Sequence, residues 1–92
     1  MADNTRSGII TVTTAGTAQQ GTNAPGNSFA IKAHPDNTDT AWVGNVSGDV
    51  ASTNGYPLMS TGESVVVETY NLNTLYFDVD VSGEKICWLM LN

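Results

Sequence analysis

Ninety-two residues with a net charge of −6 and only three bases, Arg6, Lys32 and Lys85, make one acidic domain at most. Three scattered cations build no phosphate-neutralising patch, which makes nucleic acid a poor partner, and no apolar run approaches the roughly 20 residues that cross a bilayer. One cysteine and one histidine exclude an intrachain disulfide and argue against a metal scaffold or other cofactor site, so a chain this short is expected to gain stability from copies of itself or from a larger body.

The opening decapeptide MADNTRSGII has no basic stretch followed by an apolar core, so no signal peptide is expected. Residues 1–27 read as a polar N-terminal arm, rich in Thr, Gly, Ala, Asn and Gln. One strand is expected inside it, over residues 8–14, with Ile10 and Val12 on one face. Residues 15–27 have no apolar period and read as linker or loop. Such an arm is expected to reach a neighbouring subunit, and Ile9, Ile10 and Val12 are its candidate interface residues.

Residues 28–92 read as a β-sandwich domain. Phe29, Ile31 and Ala33 alternate with Ala30, Lys32 and His34, the pattern of a half-buried strand. Pro35-Asp36-Asn37-Thr38-Asp39 is a turn, because proline sets φ and Asp and Asn fold onto their own backbone. A short strand follows over residues 40–44. A loop from Asn45 to Ser52 is expected, with a brief strand near Val50. Asn54-Gly55 is a strong turn dipeptide. Pro57 confines the next segment, Tyr56 to Met59, to a sheet edge or a bulge. Another turn is expected at Ser60-Thr61-Gly62.

Glu63 to Tyr70 is the next strand, with Val65, Val67 and Thr69 on one face and Ser64, Val66, Glu68 and Tyr70 on the other. Asn71-Leu72-Asn73 breaks it. Thr74 to Val81 follows, with Leu75, Phe77, Val79 and Val81 inward and Tyr76, Asp78 and Asp80 outward. Ser82-Gly83 closes a hairpin. Ile86 to Leu91 is apolar on both faces, so a central strand, or one covered on both sides, is expected. Six to eight short strands and no helical period give an all-β fold: a small antiparallel β-sandwich or jelly-roll-like barrel with an extended N-terminal arm.

Little of this carries reaction chemistry. His34 and Asp36 lie two apart in a turn, with no nucleophile motif to serve, and the better reading is a strand end. Asp36, Asn37 and Asp39 are oxygen-rich, yet turn formation alone accounts for them. Asp78 and Asp80 share a strand face at roughly 6–7 Å, and a solvated acidic face is the simpler reading than a glycosidase pair. Asn45-Val46-Ser47 matches the glycosylation triplet by coincidence. Cys87, between Ile86 and Trp88, reads as a buried small hydrophobe, an intermolecular bridge being its other use. No catalytic residue is expected. Trp42 and Tyr56, near turns, are candidate interface aromatics.

The segment from Phe29 to Leu91 resembles small virion-associated proteins of tailed bacteriophages. The pieces that carry the likeness are IKAHPDNTDTAWVGN and STNGYPLMSTGESVVVETYNLNTLYFDVDVSGEKICWLML. They cover about two thirds of the chain and consist largely of β-turn grammar. The resemblance implies a capsid decoration or cement protein, made in the host cytoplasm and carried on the virion surface. Its implied partners are the major capsid protein and copies of itself, commonly as a trimer. The other function such a module could serve is that of a fibre or receptor-binding domain recognising surface glycans through Trp42, Tyr56 or Tyr76.

Overall fold

A computed structural model describes residues 6–45, 55–59 and 63–92. The expected strand near Val50, the Asn54-Gly55 and Ser60-Thr61-Gly62 turns and the Asn45-Val46-Ser47 triplet lie wholly or partly outside the described residues. Among the described residues eight strands run in order: β1 (Ser7–Thr11), β2 (Gln19–Gln20), β3 (Ser28–Ala33), β4 (Ala41–Gly44), β5 (Tyr56–Leu58), β6 (Ser64–Glu68), β7 (Tyr76–Val79) and β8 (Lys85–Met90).

The strands form two antiparallel four-stranded sheets, ordered β1-β8-β3-β6 and β2-β7-β4-β5. The pairs β1·β8, β2·β7, β3·β6 and β4·β5 are nested rungs of one long folded ribbon, with alternate rungs in alternate sheets. The pairs β3·β8 and β4·β7 then close each sheet. That winding is the jelly roll, and its two packed sheets make a small β-sandwich, so the two readings of the strand count meet in one fold.

Alternation decides which side chains enter the core. Ile10 of β1, Phe29, Ile31 and Ala33 of β3, and Ile86, Trp88 and Met90 of β8 face inward from the first sheet. Ala41 and Val43 of β4, Leu58 of β5, and Phe77 and Val79 of β7 face them from the second. Val65 and Val67 of β6 flank this cluster. Burying a side chain such as Phe29 or Phe77 contributes about 1.5–3 kcal/mol.

The boundary expected at residue 27 does not divide the structure. The polar stretch before it supplies β1 and β2, which pair with β8 and β7 of the same chain. Ordinary hydrogen bonding explains why an aperiodic segment is held. The Gly21 N–H donates to the Leu75 carbonyl at 2.9 Å, and the Ala24 N–H to Asn71 Oδ1 at 3.0 Å. Asn71 also accepts from the Asn73 N–H at 3.0 Å, capping a short 3-10 turn over Leu72–Thr74. One side chain thus fastens both the corner that ends β6 and the segment that precedes β3.

The outward set of β7 needs a correction. The Asp78 side chain leaves the core side as expected, but the turn at residues 14–17 covers it, and the residue is only 5% exposed. Val81, expected inward, is 41% exposed, because β7 ends at Val79 and the chain turns there. In that turn Glu84 N–H donates to the Val81 carbonyl at 3.2 Å, and Gly83 takes φ +88°, the third-position conformation that favours glycine.

Candidate docking face

Side chains that point away from the core of the β1-β8-β3-β6 sheet form the most apolar exposed surface among the described residues. Register places them in rows. Ile9 lies opposite Cys87, Cys87 opposite Lys32, and Lys32 opposite Ser64. In the next row Ser7 lies opposite Leu89, Leu89 opposite Ala30, and Ala30 opposite Val66. Directly opposed residues of an antiparallel pair put their side chains on one face. The exposures are high for residues of this kind: 56% for Ile9, 60% for Val66 and 43% for Leu89. A shallow depression of about 260 Å³ lies between them, lined by Ala30, Lys32, Ser64, Cys87, Trp88 and Leu89.

Charge on this face runs against that of the chain. Lys32 and Lys85, two of the three bases, alternate onto it, and Glu68 is the carboxylate on its strands. Cys87 sits beside Lys32, half-exposed rather than buried as expected, because it alternates outward between Ile86 and Trp88. Burial pushes its thiol pKa up, and the Lys32 ammonium opposes that rise.

The five residues expected at interfaces separate. Ile9 is on the face just described. Ile10 and Val12, at 6% and 0% exposure, belong to the core and have no surface to offer a partner. Trp42 is half-buried on the outer side of the other sheet, where its Nε1–H donates to Asp80 Oδ1 at 3.0 Å. Tyr56, on edge strand β5, lies opposite Val43, so it alternates to the opposite side of that sheet from Trp42. Tyr76 lies opposite Gly44 and Trp42 opposite Asp78, so Tyr76 and Trp42 share the outer side.

The polar residues considered for chemistry are occupied in holding loops. Asp78 Oδ1 accepts from the Gly16 N–H at 3.0 Å and the Val79 N–H at 2.8 Å. His34 Nδ1 accepts from the Asp36 N–H at 3.0 Å, a contact inside one turn. Asn37 presents its amide to β8 as a strand would present a peptide group: Nδ2–H donates to the Lys85 carbonyl at 2.7 Å and Oδ1 accepts from the Lys85 N–H at 2.9 Å. Glu84, 9% exposed, accepts from the Thr38 N–H at 2.6 Å, the Thr38 hydroxyl at 2.8 Å and the Asp39 N–H at 3.2 Å. Among the described residues no three His, Cys, Asp or Glu side chains come together as metal ligands, and no helix is long and apolar enough to cross a membrane.

Sequence reasoning did not single out Leu89, Val66 or Ala30 as interface residues, although it set Ala30 and Val66 opposite the inward faces of their strands. The signal was present in part: Val66 falls on the outward side of β6, and residues 86–91 are apolar on both faces. What the sequence lacked was the strand order that sets these outward positions side by side. Fold and face together define an acidic jelly-roll sandwich with one apolar, lysine-bearing outer surface. Comparison with protein-family models, curated proteins and solved structures gave no match.

Proposed function

We propose that the protein is a structural virion component, a capsid decoration protein that docks on a shell lattice. The observation that carries this reading is the outer face of β1-β8-β3-β6. Contiguous exposed apolar surface of this kind marks interaction sites, and Ile9, Val66 and Leu89 provide it on one sheet face of an acidic chain. The resemblance of residues 29–91 to phage virion proteins supplies the class of partner: the major capsid protein, with copies of the chain itself alongside. Jelly rolls occur in viral capsid and lectin domains alike, so the fold supports the reading only by analogy. On a lattice, many copies share the load, so each docking contact can be weak. Mixing purified protein with undecorated particles is the test. Saturable binding and a higher shell disruption temperature are expected, and the absence of both would sink the proposal.

The alternative is a fibre or receptor-binding module that recognises surface glycans. Its support is the shared outer side of Trp42 and Tyr76 beside Asp80, since aromatic rings stack on sugars and a carboxylate accepts their hydroxyls. A reproducible glycan-array hit that is lost in Trp42→Ala would favour it over docking.

A further inference from the structure

We infer that β1 is a self-complementary edge, and that two copies of this chain join along it, β1 antiparallel to β1, into one continuous eight-stranded sheet. The register of β1 on β8 fixes which backbone groups have no partner among the described residues. Met90 N–H donates to the Arg6 carbonyl at 2.7 Å, and Val12 N–H to the Glu84 carbonyl at 3.0 Å. Antiparallel ladders bond alternate residues, so Arg6, Gly8, Ile10 and Val12 turn their N–H and C=O groups to β8. Ser7, Ile9 and Thr11 turn theirs to the open edge.

That edge matches itself. With Ile9 set opposite Ile9 of a second copy, those two residues exchange a pair of hydrogen bonds. Ser7 of each copy then exchanges another pair with Thr11 of the other. The side chains agree as well. Ile9 meets Ile9, and a hydroxyl meets a hydroxyl at both flanking positions, cross-strand pairs that stabilise a sheet. No charge lies in β1, so two chains of net charge −6 meet along a neutral seam. An open trough of about 460 Å³ runs beside the strand, lined by Ile9, Ile10, Thr11, Gln19, Gln20, Gly21 and Thr22, and leaves room for an incoming backbone.

The other sheet edges are guarded. β5 contains Pro57, β2 has only two residues, and β6 is bounded by Glu63 and Glu68. Short edges, prolines and charges are the usual means of preventing edge-to-edge pairing. β1, Ser-Gly-Ile-Ile-Thr, has none of them. An isologous contact of this type closes after two copies, so it gives a dimer and not the trimer implied by the phage resemblance. The inference concerns the chain in solution and stands apart from shell binding.

Light scattering on the purified protein, with amide hydrogen exchange read residue by residue, tests it. The expected mass is twice the 9.7 kDa of one chain, with the Ser7, Ile9 and Thr11 amides protected from exchange. Ile9→Pro removes one free N–H without touching the β8 ladder, and Ile9→Lys sets a charge in the seam. Both variants are expected to halve the mass and leave thermal unfolding of the fold in place. A monomer at every concentration, a trimer, or a dimer whose Ser7, Ile9 and Thr11 amides exchange freely would overturn the inference. So would a dimer that survives Ile9→Pro.

Discussion

Gly8 lies where a side chain would meet the Trp88 indole, since a Cβ there would come within 2.9 Å of Nε1. The indole has little room to give. Phe29 packs edge-on against it at 6.2 Å between ring centroids, and the Arg6 guanidinium lies 5.9 Å from the ring centre. Gly8→Ala sets two effects against each other: about 0.4–1 kcal/mol gained by stiffening the unfolded chain and about 1–3 kcal/mol lost to overpacking. The second wins, and denaturant titration is expected to show a net loss of about 1 kcal/mol. Cys87 gives a pH-dependent prediction. Its folded pKa is raised by burial, so the fold favours the protonated thiol. That contribution is fully present below the ordinary thiol pKa and is lost as pH climbs through the raised folded value. Alkylation of the folded protein at neutral pH should therefore run slower than that of a free thiol and accelerate above it. A rate equal to that of a free thiol at neutral pH would refute this.

Among the elements, the strands rich in β-branched and aromatic residues are legible in the sequence. Phe29-Ile31-Ala33, the edge position of Pro57 and a turn at Ser82-Gly83 all follow from alternation and turn chemistry, but the expected hairpin there is absent, because that turn carries the chain from one sheet to the other and β7 and β8 do not pair. How residues 15–27 are held is not legible there, because backbone and asparagine hydrogen bonds fasten that segment instead of an apolar period. Asn71 and Asn37 look like ordinary turn residues in the sequence, yet each replaces a missing strand partner. The candidate face is half legible: its outward residues can be read strand by strand, but not the order β1-β8-β3-β6 that unites them. An outward change on this face should separate docking from folding. Val66→Glu is expected to shift stability by no more than about 0.5 kcal/mol, as surface substitutions do, while abolishing particle binding. Unfolding curves paired with a pelleting assay measure both. Binding that survives Val66→Glu at full strength would move the docking surface elsewhere.

For the molecule as a whole, the two outer surfaces differ in character. One sheet turns Ile9, Leu89, Val66 and two lysines outward, and the other turns Trp42 with Asp80. The nested ribbon adds a constraint in time. β8, far along the chain from β1, is hydrogen-bonded to β1 on one side and to β3 on the other. Until it arrives, β1 has no partner and β3 is paired on one side only. A segment that stops short of β8 therefore has no way to complete this sheet. Topologies dominated by such distant pairings fold in milliseconds to seconds. Stopped-flow refolding is expected to fall in that range, and a chain ended before Lys85 should stay unfolded on its own and recover its sheet only when a peptide spanning residues 85–92 is supplied.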